Sequence, residues 1–230
     1  MGNLPSQNPP VGDRAPTTAH PSQPRTIGLT GGIAMGKTTV SHYLAETYHI
    51  PILDADLYAR DAVTKGSEIL AEIEERYGPS IVLPDGNLNR PRLGEIVFSC
   101  QTELLWLEKQ IHPFVRDRIT QDLAEMDRTQ HPIVVLVVPL LFEARMTDLV
   151  NEIWVVYCDH DRQVARLQQR DTSGQLSLAQ IQARIDSQMP IAEKIRRADI
   201  VLENNSTPEA LYQQIDAALK TYPANHLSSE

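Results

Sequence analysis

Residues 27–39 read Ile-Gly-Leu-Thr-Gly-Gly-Ile-Ala-Met-Gly-Lys-Thr-Thr. An apolar run enters a glycine-rich loop and leaves as a helical pattern carrying Val40, Tyr43, Leu44 and Thr47. Gly31, Gly36, Lys37 and Thr38 satisfy G-x-x-x-x-G-K-[ST], the P-loop pattern. The spacing has a physical reason. A di- or triphosphate must lie close to the backbone, and glycine admits both the approach and the dihedrals it requires. The loop N–H groups then face anionic oxygens at the positive end of a helix. In this reading Gly31, Gly32, Ile33, Ala34, Met35, Gly36, Lys37, Thr38 and Thr39 form the phosphate site. Lys37 reaches the β/γ-phosphates, and the Thr38 hydroxyl meets a Mg2+ ion that keeps most of its water.

A strand feeding such a loop and helix predicts an α/β fold: a central parallel sheet of about five strands, in three layers with helices on both faces. The 230 residues, 41% of them hydrophobic, suffice for one such domain with insertions. The net charge of −9 argues against broad nucleic-acid binding, which needs a basic face. It leaves room for a phosphorylated small molecule, which a few local cations can hold. Cys100 and Cys158 are too far apart for a thiol metal site and point to a reducing, cytoplasmic setting. No apolar run approaches the ~20 residues of a membrane helix. Residues 1–24 hold six prolines among Ser, Thr, Gln and Asn, and read as a disordered tail without a signal-peptide core. The end, from 223 to 230, reads as frayed.

Between these limits the pattern predicts strands at about 26–30, 50–53, 133–141, 153–158 and 200–202. The helix after the loop spans about 37–48. The core is thus 25–56 with 131–222, interrupted by a helical insert at about 57–130. Within the insert, Ser67 and Asn89 are candidate helix caps, and Asp85-Gly86 a turn. His112-Pro113 is read as a break between two helices. The run 133–141 is β-branched and suits a central strand buried on both faces. Ser177 with Gln180 forms a capping-box pattern after a break at Thr172-Ser173-Gly174, and Thr207-Pro208 starts the last helix.

Two further features carry chemistry. The second strand ends in Asp54-Ala55-Asp56, on the side where open α/β sheets bind ligands if that strand neighbours the loop. Transfer of a phosphoryl group to a hydroxyl needs a group to orient the hydroxyl and take its proton. Asp56 fits that role and also fits a helix cap. Arg162, Arg166 and Arg170 recur every four residues on one helical face after the fourth strand. Arg166 and Arg170 are read as the pair closing over a nucleotide, and Arg162 as a solvated charge.

Taken in order, these residues resemble the dephospho-coenzyme A kinase family. The matching runs are Leu29-Thr30-Gly31-Gly32-Ile33 with Gly36-Lys37-Thr38-Thr39, Asp54-Ala55-Asp56 with Ala59-Arg60, and Asp85-Gly86 with Leu88-Asn89-Arg90. They continue through His112-Pro113, Val138-Pro139-Leu140-Leu141-Phe142-Glu143, Gln169-Arg170-Asp171, and Ala198-Asp199 with Asn204, over about residues 26–220. The family loop usually reads Gly-Ser-Gly-Lys-Ser where Ala34-Met35-Gly36-Lys37-Thr38 stands, and alanine in place of the first glycine demands a backbone that an alanine can adopt.

The resemblance implies a P-loop kinase fold with a lid at about 160–190. ATP would be the phosphoryl donor, with Mg2+, and dephospho-coenzyme A the acceptor. Neither a membrane, nucleic acid nor an obligate protein partner is implied. Asp56 resembles the base for the ribose 3′-hydroxyl. Either Arg166 or Arg170 takes the lid arginine's place, and Asn204 lies where related kinases hold adenine. Asp54, Arg60, Arg90 and His112 fall on the substrate side, though a histidine before proline also suits a local contact. Glu143 either holds magnesium through water or caps the next turn. The alternatives kept are a nucleoside or nucleoside-monophosphate kinase, sharing loop and lid, and a nucleotide-dependent switch, for which the guanine motif N-K-x-D is absent.

Overall fold

The computed structural model describes residues 24–171 and 177–221. The proline-rich stretch up to 23, the break expected at Thr172-Ser173-Gly174 and the chain end from 222 lie outside the described residues. Leu53–Asp127 form one compact unit, and the described residues on either side form another.

The first unit is built on a five-stranded sheet of order β2-β3-β1-β4-β5. The strands are β1 (Arg25–Gly31), β2 (Ile52–Asp54), where the chain passes from the first unit into the second, β3 (Ile133–Val137), β4 (Glu152–Tyr157) and β5 (Ile200–Glu203). β1 pairs in parallel with β3 and β4, and β4 with β5. β1 is buried along its whole length, as a central strand must be. Ile27 and Leu29 pack with Val135, Val137, Trp154 and Val156 against Val40 and Leu44 of α1 (Lys37–Tyr48). Leu211, Ile215 and Ala218 of the C-terminal helix, capped by Thr207 as expected, complete this layer. Each large aliphatic side chain buried there contributes roughly 1.5–3 kcal/mol.

The strand expected over 133–141 stops at Val137. Pro139 has no N–H for a further ladder bond, and its carbonyl accepts from the Thr30 hydroxyl at 3.1 Å instead. The chain then turns through Leu141, which accepts from Met146 N–H at 3.0 Å. β2 lies beside β3, not beside β1, so β3 separates the second strand from the one that enters the glycine-rich loop.

The second unit contains α2 (Ala55–Asp61), α3 (Glu68–Tyr77), α4 (Arg90–Ser99) and α5 (Gln101–Glu125). Ser67 and Asn89 cap α3 and α4 through their side chains, as their positions predicted. Leu70, Ile73, Ile81, Leu88, Leu93 and Val97 form its core. The break expected at His112-Pro113 is absent: α5 runs through Pro113. Proline forfeits one hydrogen bond and crowds the preceding turn. Packing on both sides of it offsets that cost, with Ile111 and Phe114 against the core and Val115 and Ile119 buried.

Returning to the first unit, β4 leads to α6 (His160–Arg170), then α7 (Leu178–Asp186), α8 (Ile191–Arg196), β5 and α9 (Pro208–Lys220). The capping box at Ser177 and Gln180 is present. α8 had no sequence expectation. No described helix is long and apolar enough to cross a membrane.

Candidate active site

In a parallel sheet the carboxyl ends of the strands share one edge, and ligands bind there. The glycine-rich loop follows β1 at this edge, the Pro139–Glu143 turn follows β3, α6 follows β4 and Asn204 follows β5. α1 is preceded by Gly36 as its N-cap, with φ 108° and no side-chain cap, and has no acidic residue in its first turn. Its positive end therefore faces the loop without a neutralising carboxylate. Lys37 is folded over the loop, its Nζ donating to the Gly31 and Gly32 carbonyls at 2.9 Å each. Thr38 and Thr39 stand exposed.

Ala34 does not take a backbone that suits alanine: it keeps the left-handed conformation glycine would adopt, with φ 58°. That conformation costs an L-residue roughly 1–2 kcal/mol. Contacts from α6 and α7 oppose the cost: Ala34 is buried with Leu167 and Ile181, against Ile33, Val164 and Ile185.

Arg166 and Asn204 meet at the loop. Arg166 Nη1 donates to Met35 O at 3.3 Å, and Nη2 to Asn204 O at 3.3 Å. Asn204, 7% exposed, donates Nδ2 to Met35 O at 2.9 Å. A cleft of about 200 Å3 is lined by Ala34, Gly36, Thr39, Arg166, Arg170, Asn204, Ser206 and Pro208. The structure therefore brings the loop, both favoured arginines and Asn204 to one place. It also separates the arginines by environment. Arg166 is half-buried on loop carbonyls, whereas Arg170 is exposed at the rim; Arg162 is exposed and does not line the cleft.

Glu143 sits on the turn after β3. Its Oε1 pairs with Lys194 Nζ at 2.9 Å and accepts from Met189 N–H at 2.9 Å. Its Oε2 is buried with no hydrogen-bond partner. Lys194 is fully buried and also donates to Pro139 O at 3.0 Å. Among the described residues no group of three or more His, Cys, Asp or Glu could hold a metal. A metal here would rely on few protein oxygens, which suits magnesium bound through phosphates and waters. Thr38 and the orphaned Glu143 oxygen fit that requirement.

Within the second unit, Asp54 caps α2, its Oδ1 accepting from Asp56 N–H at 2.9 Å. The capping role open to Asp56 thus belongs to Asp54, and Asp56 is exposed in the first turn. Arg60 is exposed in the last turn of α2, Arg90 is exposed at the start of α4, and His112 is half-buried inside α5.

Sequence reasoning missed Lys194, Gln163 and Gln188. Gln163 Nε2 donates to Ile33 O at 2.9 Å, and Gln188 Oε1 accepts from Ile33 N–H at 2.8 Å. A polar residue on an otherwise buried helix stripe was the available signal for Gln163. Lys194 and Gln188 lie in a charged stretch that gives none.

Three comparisons bear on this arrangement. The sequence model of the dephospho-CoA kinase family matches residues 25–209. The dephospho-CoA kinase of Trichormus variabilis is 57% identical over 195 residues, covering 85% of this chain and 96% of that relative. The Synechocystis enzyme of the same name is 53% identical, covering 85% and 94%. Among solved structures, a Thermus thermophilus protein superposes with a TM-score of 0.72 at 33% identity, covering 90% of this chain and 100% of the other. The dephospho-CoA kinase of Campylobacter jejuni gives 0.63 at 26% identity, covering 84% and 94%. A family match spanning both compact units, with relatives more than half identical across most of its length, makes this chain a member of the dephospho-CoA kinase family.

Proposed function

We propose that the chain transfers the γ-phosphoryl group of ATP to the ribose 3′-hydroxyl of dephospho-coenzyme A, giving ADP and coenzyme A, the last step of coenzyme A synthesis. The observation that carries this reading is the family match over residues 25–209, which takes in both the phosphate loop and the whole of Leu53–Asp127. A phosphate loop alone would fit many kinases; the second unit's sequence is what makes the acceptor specific.

The 3′-oxygen bonds to the γ-phosphorus as the bond to the β-bridging oxygen breaks. The hydroxyl proton passes to Asp56, and ADP leaves. Little covalent work falls to the protein, so positioning and charge dominate. The loop amides and Lys37 hold the β/γ-phosphates, and Arg170, from the rim, meets charge on the transferring group. Arg166 and Asn204 fix the Met35 end of the loop and border the adenine. Asp54 keeps Asp56 in place, while Arg60, Arg90 and His112 serve the acceptor. The Thr38 hydroxyl, and Glu143 through water, would hold Mg2+, which would supply positive charge against the phosphates. Closure of α6 and α7 as a lid excludes water and limits futile hydrolysis.

The test is ADP release by purified protein with Mg-ATP, with mass detection of product. Dephospho-coenzyme A is compared with AMP, CMP, dTMP and adenosine. Turnover confined to dephospho-coenzyme A, gaining one phosphate, supports the reading. Turnover with a nucleoside monophosphate instead keeps the fold and discards the acceptor.

A further inference from the structure

We propose that Gln163 and Gln188 are positioning residues that hold the phosphate loop in its nucleotide-binding shape by fixing the peptide planes on either side of Ile33. The proposal rests on the phosphoryl-transfer reading above and deepens it.

The two amides act in complementary senses. Gln163, 2% exposed on α6, donates to the Ile33 carbonyl at 2.9 Å. Gln188, just beyond α7, accepts from the Ile33 N–H at 2.8 Å. The carbonyl belongs to the peptide leading into Ala34, and the N–H to the peptide arriving from Gly32. Together the bonds set both dihedrals of Ile33 and deliver the chain into the left-handed Ala34.

Apolar packing cannot do this. The contacts of Ile33 and Ala34 with Leu167, Ile181, Val164 and Ile185 are non-directional, and they tolerate rotation of a peptide plane. A hydrogen bond does not tolerate it, and a buried backbone group left unmet costs more than the bond itself gains. The lack of a side chain at Gly32 leaves the approach open: a Cβ there would fall 2.7 Å from Met35 Sδ and 3.1 Å from Gln163 Nε2.

The segment after α7 also reaches the turn beyond β3. Gln188 binds the loop, and the next residue, Met189, donates its N–H to Glu143 Oε1 at 2.9 Å. One short stretch thus sets both the loop and the carboxylate whose other oxygen is unpartnered. A shift of that stretch moves both together.

The experiment uses four variants of the full chain: Gln163→Met, Gln188→Met, Gln163→Glu and Gln188→Glu. ATP affinity is measured by calorimetric titration, KM for both substrates by steady-state kinetics, and stability by melting. Loss of either bond weakens ATP binding about tenfold, the scale of one neutral hydrogen bond. KM for dephospho-coenzyme A changes by less than about twofold, since the residues assigned above to the acceptor, Arg60, Arg90 and His112, take no part in these bonds. Gln188→Glu recovers most of the affinity, because a carboxylate still accepts from Ile33 N–H. Gln163→Glu does not recover it, because it has no proton to donate to Ile33 O.

Unchanged ATP affinity in variants that melt like the parent overturns the proposal. So does equal recovery by both glutamates, or equal losses for both substrates, which mark a merely structural role. If Gln163→Met fails to fold, the pair at 188 decides. A parent protein that binds ATP but turns over no acceptor overturns the function reading, while the titrations still decide this one.

Discussion

Asn204 Nδ2 occupies the space where a side chain at Gly36 would begin. It donates to Met35 O at 2.9 Å, and a Cβ on Gly36 would fall 2.0 Å from it. Gly36 also has φ 108°, a backbone that side chains disfavour. Gly36→Ala therefore carries two faults. The backbone strain is roughly 1–2 kcal/mol, and displacing Asn204 forfeits its hydrogen bond, about 1 kcal/mol. ATP affinity should fall on the order of a hundredfold while the far-UV spectrum is retained, because the strain is confined to one loop. Calorimetric titration reads the affinity directly; a loss below about threefold would mean that loop shape does not limit binding.

Asp54 and Asp56 divide what a short carboxylate pair can do. Asp54 accepts from Asp56 N–H at 2.9 Å and caps α2, so its removal is a stability question, with Asp54→Ala costing about 1 kcal/mol. Asp56→Asn keeps size and helix and removes the carboxylate proposed above as the base. We expect kcat to drop by about 10²–10⁴ with ATP affinity unchanged. Single-turnover kinetics alongside ATP titration separates the two effects. Loss of ATP affinity with kcat intact would assign Asp56 to the wrong step.

The elements legible in the sequence are those whose signal is local. The phosphate loop, the caps at Ser67, Asn89 and Thr207, and the Ser177–Gln180 box are short patterns with fixed geometry, and each is present. What escaped depends on packing across the chain. Pro113 looks like a break until Ile111, Phe114, Val115 and Ile119 are seen to hold the helix through it. β3 looks nine residues long by hydropathy and ends at Val137, because Leu141 is buried by a turn instead of a ladder. At the site, the arginines were legible by their spacing. Their different settings were not, because Arg166 is fixed by carbonyls of residues far away in sequence. Gln163 and Gln188 carry no charge or motif and became visible only against Ile33.

Lys194 is the one charged side chain among the largest fully buried groups described. Its ammonium lies 2.9 Å from Glu143 Oε1 and 3.0 Å from Pro139 O. Lys194→Met fills the space but strands the Glu143 carboxylate. Breaking a buried pair costs about 3–5 kcal/mol when both partners are enclosed. Glu143 retains 24% of its side-chain surface, so about 2–3 kcal/mol is expected. Urea unfolding measures it. The double variant Lys194→Met with Glu143→Gln should recover part of the loss, since no unpaired charge remains. A double variant less stable than the sum of the singles would show that the pair is not the source.

In the second unit, a three-residue cluster sets an acid limit. Arg76 donates Nε and Nη2 to the Glu103 oxygens at 2.7 and 3.0 Å, and the Tyr77 hydroxyl donates to the same carboxylate at 2.7 Å. Arg76 first, and Tyr77 second, hold Glu103 below its ordinary pKa of 4.5. Burial and that carboxylate push Tyr77 up to about 12, so its hydroxyl remains a donor over the whole acid and neutral range. A carboxylate that binds its proton less readily when folded stabilises fully above its unfolded pKa. That stabilisation disappears as pH falls through the lower folded value. The window therefore lies below 4.5. At neutral pH Glu103→Gln should melt lower than the parent, and the two melting curves should converge as pH falls from about 4.5 toward 3. Arg76→Gln should also flatten this acid limb, because it removes the larger cause. Melting midpoints followed across that range decide the point, and curves that stay parallel down to the lowest pH would place the acid sensitivity elsewhere.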